Sequence, residues 1–430
     1  MKVRVTRRRL LMGTAAATVG AGSTFFGPWK HNRVWAQKTD KPILIGLTHD
    51  ASGQFANSGQ AEMRGTVMAL EEINAKGGVL GRKLAYISAD TETTPSTGTR
   101  IAQRMITRNE VAFLVGAIQS GVANAIGQVA QKYGVVYFNT NSSSPTEAGK
   151  DCQRCKFVWD GTGANFSLAA ASNAIKTFGK KWLLLTNDYV WGHNTSKATR
   201  EIATQFGAGI SDEILVPVGT RDFSPILLKI QQAKPDVVAA AVGGDDFKVM
   251  RQQVVDLKLD RAPAWLNNQQ DWPDVYGLGI ESVFGVFGTT WYHKLALPGV
   301  EDLVKRYQAR WPDTRIDVPG NVFYNGYVAM WELARAIERA GSTNNLKVIR
   351  ALEGHRMSAK DRMQHFDAVI DPETHHVQQT IYLATGNDKP VDKTDYFKIL
   401  SWAKPEEVQD ANERKTCKLQ AYADTPSYEQ

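Results

Sequence analysis

Val111-Ala112-Phe113-Leu114-Val115 and Val135-Val136-Tyr137-Phe138, with residues 121–133 between them, decide the fold. Both short runs are apolar at every position, and the segment joining them carries its apolar residues at helical spacing. A strand without alternation is covered on both faces, and a helix linking two such strands is the crossover of a parallel sheet. Working upstream, 42–47 reads as another strand, and 60–75 places Met63, Val67, Leu70 and Ile73 on one helical face before the stop signal Gly77-Gly78. Residues 84–89 are then a strand and 96–108 a helix. Downstream the alternation restarts, with strands expected at 181–186, 214–218, 237–242, 264–267 and 283–287 and helices at 194–207, 224–234 and 245–259.

Two runs of this kind predict an α/β protein with two doubly wound parallel-sheet lobes joined by crossover hinge strands. The first crossover is read at 157–163 and the second near Gly288-Thr289-Thr290. The expected division is 41–158 plus 289–365 for lobe one, 159–288 plus 366–400 for lobe two, and a polar tail, 401–430, that wraps the surface or stays loose. Helix 321–340, with Tyr327, Met330, Leu333, Ala334 and Ile337 on one side, should pack back on lobe one. Residues 364–385 read as strand, turn at Asp371-Pro372-Glu373, and strand.

Of the 430 residues 43% are hydrophobic and 22% charged, with 36 Gly and 16 Pro, which excludes collagen-like, coiled-coil and disordered chains. The net charge of +7 suggests a nucleic-acid partner until its position is considered. Residues 1–36 hold seven cations and no acid, and the remaining 44 basic residues balance 44 acidic ones. No nucleic-acid partner is therefore expected. Thr6-Arg7-Arg8-Arg9-Leu10-Leu11, an Ala/Gly-rich apolar stretch and Val34-Trp35-Ala36 read as a twin-arginine signal peptide, 1–36, cleaved after Ala36. An uncleaved anchor is the alternative, but Gly and Thr dilute the stretch below the ~20 apolar residues of a spanning helix. No cysteine precedes Cys152, so the leader is not read as a lipoprotein anchor. Cys152, Cys155 and Cys417 allow three disulfide pairings, and Cys152-x-x-Cys155 also has the spacing of a redox motif or half a zinc site. A structural disulfide is favoured because no second such pair exists. Which pair forms is left open.

The scan for reactive chemistry finds no phosphate loop of the GxxxxGK[ST] type, HExxH, GxSxG or SxxK motif. His375-His376 read as a solvated turn. His49 and His193 follow predicted strands, where ligand loops of open sheets lie, and Asp245-Asp246 as the start of a helix. No metal or cofactor is called for, and no catalytic residue. One constellation rises above background: Asn139-Thr140-Asn141-Ser142-Ser143-Ser144-Pro145-Thr146-Glu147 crowds hydroxyl and amide groups after strand 135–138, with Ser144 and Glu147 as a capping box. A similar site, Gln119-Ser120-Gly121, follows the preceding strand. Two adjacent helix N-termini would clamp a carboxylate. Tyr189 and Trp191 stand at a strand end of lobe two, positioned to cover an apolar ligand body.

The residues resemble a known family, the type I periplasmic solute-binding proteins of ABC transporters, of the branched-chain amino-acid type. The resemblance runs from about 42 to 385 and rests on Ser52-Gly53-Gln54-Phe55, Gly59, Arg64-Gly65, the run from Glu72-Ile73-Asn74-Ala75-Lys76-Gly77-Gly78 to Lys83, Asp90, Val115-Gly116, Asp188-x-x-Trp191-Gly192, Asp222-Phe223-Ser224 and Asn325-Gly326-Tyr327. It implies that a ligand carboxylate meets Ser120 or Gly121 at one strand end and Asn141 and Ser143 at the next, with Gln119 and Ser142 beside them. It also implies that Trp191 closes over the ligand from lobe two. Amino-acid binders of the family place an acid after the strand near 266. Here the segment is Asn267-Asn268-Gln269-Gln270, with Asp271 the nearest acid, which leans towards a carboxylate or amide without a free amine and makes Gln269 a contact. Phe55, Tyr189, Trp191 and Tyr324 would supply an apolar slot for aromatic acids or amides.

The function so implied is a monomeric periplasmic receptor, exported by the twin-arginine route, that closes on a small carboxylate or amide solute, such as an amino acid or aromatic acid, and delivers it to an ABC-transporter membrane permease. The alternatives are a periplasmic sensor for a signalling partner and, in another class, an exported α/β enzyme. The enzyme reading requires a nucleophile, metal cluster or phosphate loop, and the scan finds none.

Overall fold

A computed structural model of the chain describes residues 41–258 and 264–430. The leader read at 1–36 and the last residue of the helix expected at 245–259 lie outside the described residues. Ile43–His49 (β1), Leu84–Asp90 (β2), Phe113–Gly116 (β3), Val136–Asn139 (β4) and Lys156–Val158 (β5) form an all-parallel sheet in the order β2-β1-β3-β4-β5. Helices Ala56–Ala75 (α1), Pro95–Thr107 (α2) and Ser120–Tyr133 (α3) make its crossovers. β3 and β4 are buried at every position, which is why their sequences show no alternation.

The chain then enters Gly163–Phe178 (α4), Lys181–Asn187 (β6), Val190–Gln205 (α5), Gly209–Val216 (β7), Ser224–Ala233 (α6), Val237–Ala241 (β8), Gly244–Asp256 (α7), Ala264–Gln269 (β9), Trp272–Val275 (α8) and Val286–Thr289 (β10). It continues through Val300–Arg310 (α9), Asn321–Ala340 (α10), Asn345–Leu352 (α11), Arg356–Met357 (β11), Ala359–Arg362 (α12), Ala368–Ile370 (β12), Val377–Gln378 (β13), Ile381–Gly386 (β14), Phe397–Ala403 (β15) and Ala411–Thr416 (α13). The second sheet has the order β15-β14-β10-β9-β8-β6-β7, parallel from β10 to β7, with β14 and β15 antiparallel at its edge.

Differences from the sequence expectations have local causes. The strand expected at 214–218 begins at Gly209, because its first half lies largely exposed at the sheet edge and carries no apolar signal. The segment 364–385 is not one hairpin: β12 pairs with β11 on one side and β13 on the other in a small antiparallel sheet that touches β5 through the Val158–His376 bridge, and β14 crosses to the second sheet. Apolar alternation marks a strand but not the sheet it joins. His375 and His376, expected at a solvated turn, are buried. His375 stacks on Phe157 with ring centroids 4.3 Å apart, and His376 joins Glu413 at 3.0 Å to the Asp160 carbonyl at 2.9 Å.

Helix α10 occupies its expected range and packs on α1. Gly65 makes the contact possible, since a Cβ there would collide with the Phe323 carbonyl of α10. The cysteines resolve to a Cys152–Cys417 disulfide with Cys155 buried and free. That bond ties the tail to the body, and Tyr428 Oη donates to the Val111 carbonyl at 2.9 Å while Gln430 Oε1 accepts from the Leu44 amide at 3.0 Å. No helix of the described residues is long and apolar enough to cross a membrane.

Candidate functional site

In both sheets the strand order reverses once, between β1 and β3 and between β6 and β8. Open α/β sheets bind ligands at such points, beyond the carboxyl ends of the strands. Those ends face one another here. Phe55 and Ser58 after β1, Ile118 after β3 and Asn141 and Ser143 after β4 form one wall of a crevice of about 560 Å³, including space open to solvent. Tyr189 and Trp191 after β6, Val242, Gly243 and Gly244 after β8, and Gln269, Asp271 and Asp274 at the end of β9 and beyond form the other. Phe247 and Val322 complete it.

The walls touch directly. Gln54 Nε2 donates to the Gly243 carbonyl at 3.1 Å and to Asp246 Oδ2 at 2.9 Å, and the Asp245 amide donates to the Gln54 carbonyl at 3.2 Å. Ser143 Oγ donates to Gln269 Oε1 at 3.0 Å, and Asn194 Nδ2 to Ser144 Oγ at 3.0 Å. The crevice is thus a closed cleft. Phe55 and Tyr189 meet across it with ring centroids 5.9 Å apart, and Tyr189 and Trp191 stack at 6.0 Å. Gly244 is required there, because its φ is +61° and an added Cβ would lie 2.8 Å from the Gln54 carbonyl oxygen. Trp191 is 6% exposed, and its indole Nε1 has no hydrogen-bond partner among the described residues.

Two of the groups expected to clamp a carboxylate, the Gln119 amide and the Asn141 side chain, hold carboxylates of the chain itself. Asp50 Oδ2 accepts from the Ile118 and Gln119 amides, both at 2.8 Å, at the N-terminus of α3, and Thr91 donates to its other oxygen. Burial pushes the Asp50 carboxyl up to about 6 in spite of those hydrogen bonds. Glu62 of α1 accepts from Asn141 Nδ2 at 2.9 Å and from the Thr140 hydroxyl, and its second oxygen lies 3.1 Å from His49 Nδ1. Asp271 accepts from the Asn321 amide at 2.6 Å and the Val322 amide at 2.9 Å, capping α10 from the other wall. Burial, and then the charge of Asp274, push it up to about 7, and burial raises Asp274 as well.

Of the residues singled out in the sequence, Phe55, Asn141, Ser143, Tyr189, Trp191 and Gln269 line the cleft. Gln119, Ser120, Gly121, Ser142 and Tyr324 are not among the residues lining it. Gln119 turns back to cap α3, accepting from the Val122 amide at 2.8 Å, which sets its side chain beside Gly121. Ser120 and Ser142 face each other at 2.9 Å beneath the surface. Tyr324 is core: it stacks on Trp291 at 5.1 Å and donates to the Arg362 carbonyl at 2.5 Å, so it supplies no apolar slot. The capping box at Ser144 fails too. Residues 145–150 form turns, because Glu147 is drawn inside by Lys156 Nζ at 2.6 Å, and only α3 offers a helix N-terminus on this wall between β3 and β5. His49 is a buried partner of Glu62, and His193 pairs with Asp188 at 2.7 Å at the surface.

Sequence reasoning missed Asp50, Glu62, Ser58, Phe247, Asp274 and the Gly243-Gly244 pair. Asp50 and Gly243-Gly244 directly follow apolar strand runs, the criterion already applied to 119–121, and were within reach. Glu62 was not: with Ser58 and Thr66 it forms a polar stripe at helical spacing that a sequence cannot distinguish from a solvated face.

A family model described as periplasmic binding protein matches residues 42–390. The chain is 26% identical to the Leu/Ile/Val-binding protein BraC3 of Rhizobium johnstonii over 79% of this chain and 88% of that one. It is 24% identical to the Leu/Ile/Val-binding protein homolog 1 of Brucella suis over 81% and 88%. Among solved structures, a periplasmic binding protein from Burkholderia mallei superposes with a TM-score of 0.80 at 22% identity, covering 87% of this chain and 98% of the other. A solute-binding protein of an ABC transporter from Rhodopseudomonas palustris, in complex with 3,4-dihydroxybenzoic acid, superposes with a TM-score of 0.76 at 21% identity, covering 85% and 98%. With two sheet-based bodies facing each other across a cleft, and a family match over four-fifths of its length, the chain belongs to the periplasmic binding proteins, of the type I fold and the branched-chain amino-acid-binding family.

Proposed function

We propose that this protein is a receptor that closes the bodies built on its two sheets around a small solute and presents the closed form to an ABC-transporter permease. The supporting observation is the cleft itself, set where both strand orders reverse and latched by direct hydrogen bonds from Gln54 and Ser143 to the opposite wall. Such a mechanism makes and breaks no covalent bond, since ligand contacts to both walls stabilise the closed state. The leader with Arg7-Arg8-Arg9 supports export by the twin-arginine route and a mature chain from Gln37, acting as a monomer. The four aromatic rings of the lining favour a solute with an apolar body, and Asp50 and Glu62 already hold donors that a free carboxylate would use.

A thermal-shift panel on the chain from Gln37, spanning aliphatic amino acids, aromatic carboxylates, short amides and urea, tests the reading. A true ligand at ~100 times its Kd adds about 2.7 kcal/mol and moves Tm by several degrees. If no compound shifts Tm and denaturing the purified protein releases no small molecule, the receptor reading is wrong.

A further inference from the structure

The residues lining the cleft include two carboxylates, Asp271 and Asp274, and no lysine, arginine or histidine. Three donor sets beside the cleft hold carboxylates of the chain: Asp50 at α3, Glu62 at the end of β4 and Asp271 at α10. A further carboxylate would enter beside the like charges of Asp271 and Asp274. The opposite charge finds the reverse. Phe55, Tyr189, Trp191 and Phe247 present aromatic surface, whose negative faces attract a cation, beside the two acids. The raised carboxyls of Asp50, Asp271 and Asp274 are those of buried acids lacking a full counter-charge. The neighbouring side-chain cations stay outside the lining: Arg251 lies 4.8 Å from the centre of the Phe247 ring and donates to Gln270 at 2.8 Å, Lys248 reaches Asp245 at 3.8 Å and also acts on Asp274, and Arg221 acts on Asp246.

We infer that the solute of this cleft is an organic ammonium ion without a carboxylate, seated among Phe55, Tyr189, Trp191 and Phe247 and facing Asp271 and Asp274. The inference rests on the receptor reading and names its substrate class. The test is titration calorimetry of the chain from Gln37 with choline, its neutral isostere 3,3-dimethylbutan-1-ol, leucine and benzoate, together with mass spectrometry of whatever the protein releases on denaturation. Choline is expected to bind about tenfold or more tighter than the isostere. Asp274→Asn, which leaves the α10 cap intact, should shrink that ratio while thermal unfolding stays cooperative. Equal affinity for choline and the isostere, or binding of leucine or benzoate but not choline, overturns the inference and leaves the receptor standing. If none of the four binds, the released molecule decides: a cation supports the inference, an acid or zwitterion overturns it, and no molecule at all removes the receptor reading with it.

Discussion

Tyr324 and Tyr189 show how one residue type packs in the core or lines the cleft according to where its backbone places it. Both sit near the cleft, yet the Tyr324 ring stacks on Trp291 and its hydroxyl is spent on the Arg362 carbonyl. Tyr324→Phe should therefore lower stability by about 1 kcal/mol, the net worth of a buried hydrogen bond, with solute affinity unchanged. Loss of affinity at constant stability would return the residue to the site. Asp271 carries a pH dependence of defined sign. Its folded carboxyl titrates at about 7, above the ordinary value of 3.8, so the folded state holds the proton more tightly than the unfolded chain. Its contribution is fully present below about pH 4 and is lost as pH rises through about 7. The urea midpoint of Asp271→Asn should accordingly fall less than that of the parent between pH 5 and pH 7.5. Parallel curves for the two proteins would show that the residue does not titrate there.

At the scale of elements, the tail and α10 extend the packing of the first sheet beyond its own strands. α10 lies against α1 at Gly65, and the last residues return to Val111 and Leu44 beside β1 and β3. The Cys152–Cys417 bond closes a separation of 265 residues, and cross-links over long loops restrict the unfolded chain most. Cys417→Ser should cost about 2 to 5 kcal/mol by denaturant titration and expose the segment beyond Thr416 to protease. An unchanged midpoint would show that the hydrogen bonds of Tyr428 and Gln430 hold the tail alone. His376 fixes the same region from inside. Burial opposes its charge, but Glu413 on α13 outweighs burial and raises its pKa.

For the whole molecule, the proposed receptor mechanism makes the hydrogen bonds across the mouth of the cleft the groups that hold the closed form. Gln54 contributes three of them, two from its side chain, while Ser143 and Asn194 contribute others. Gln54→Ala should weaken closure by roughly 1 to 3 kcal/mol for two lost bonds, enlarging the radius of gyration in solution scattering without solute and restoring it with solute. An unchanged radius in both states would mean that closure does not depend on this latch.

The sequence by itself determined the fold and where the cleft between the two sheets would open. Fully apolar strands such as 111–115 and 135–138 require cover on both faces, crossover helices supply it, and ligands of such sheets gather beyond the carboxyl ends of the strands. Phe55, Asn141, Ser143, Tyr189, Trp191 and Gln269 were legible on that ground, because each follows a strand or stands at its last residue. The chemistry of the site was decided only in three dimensions. Asp50 and Glu62 come from β1's end and from α1, yet they occupy the donors that follow β3 and β4, and Asp271 caps a helix 50 residues away. A buried carboxylate takes whichever donors lie within hydrogen-bond reach, and reach between distant segments is a property of the packed chain and not of residue order.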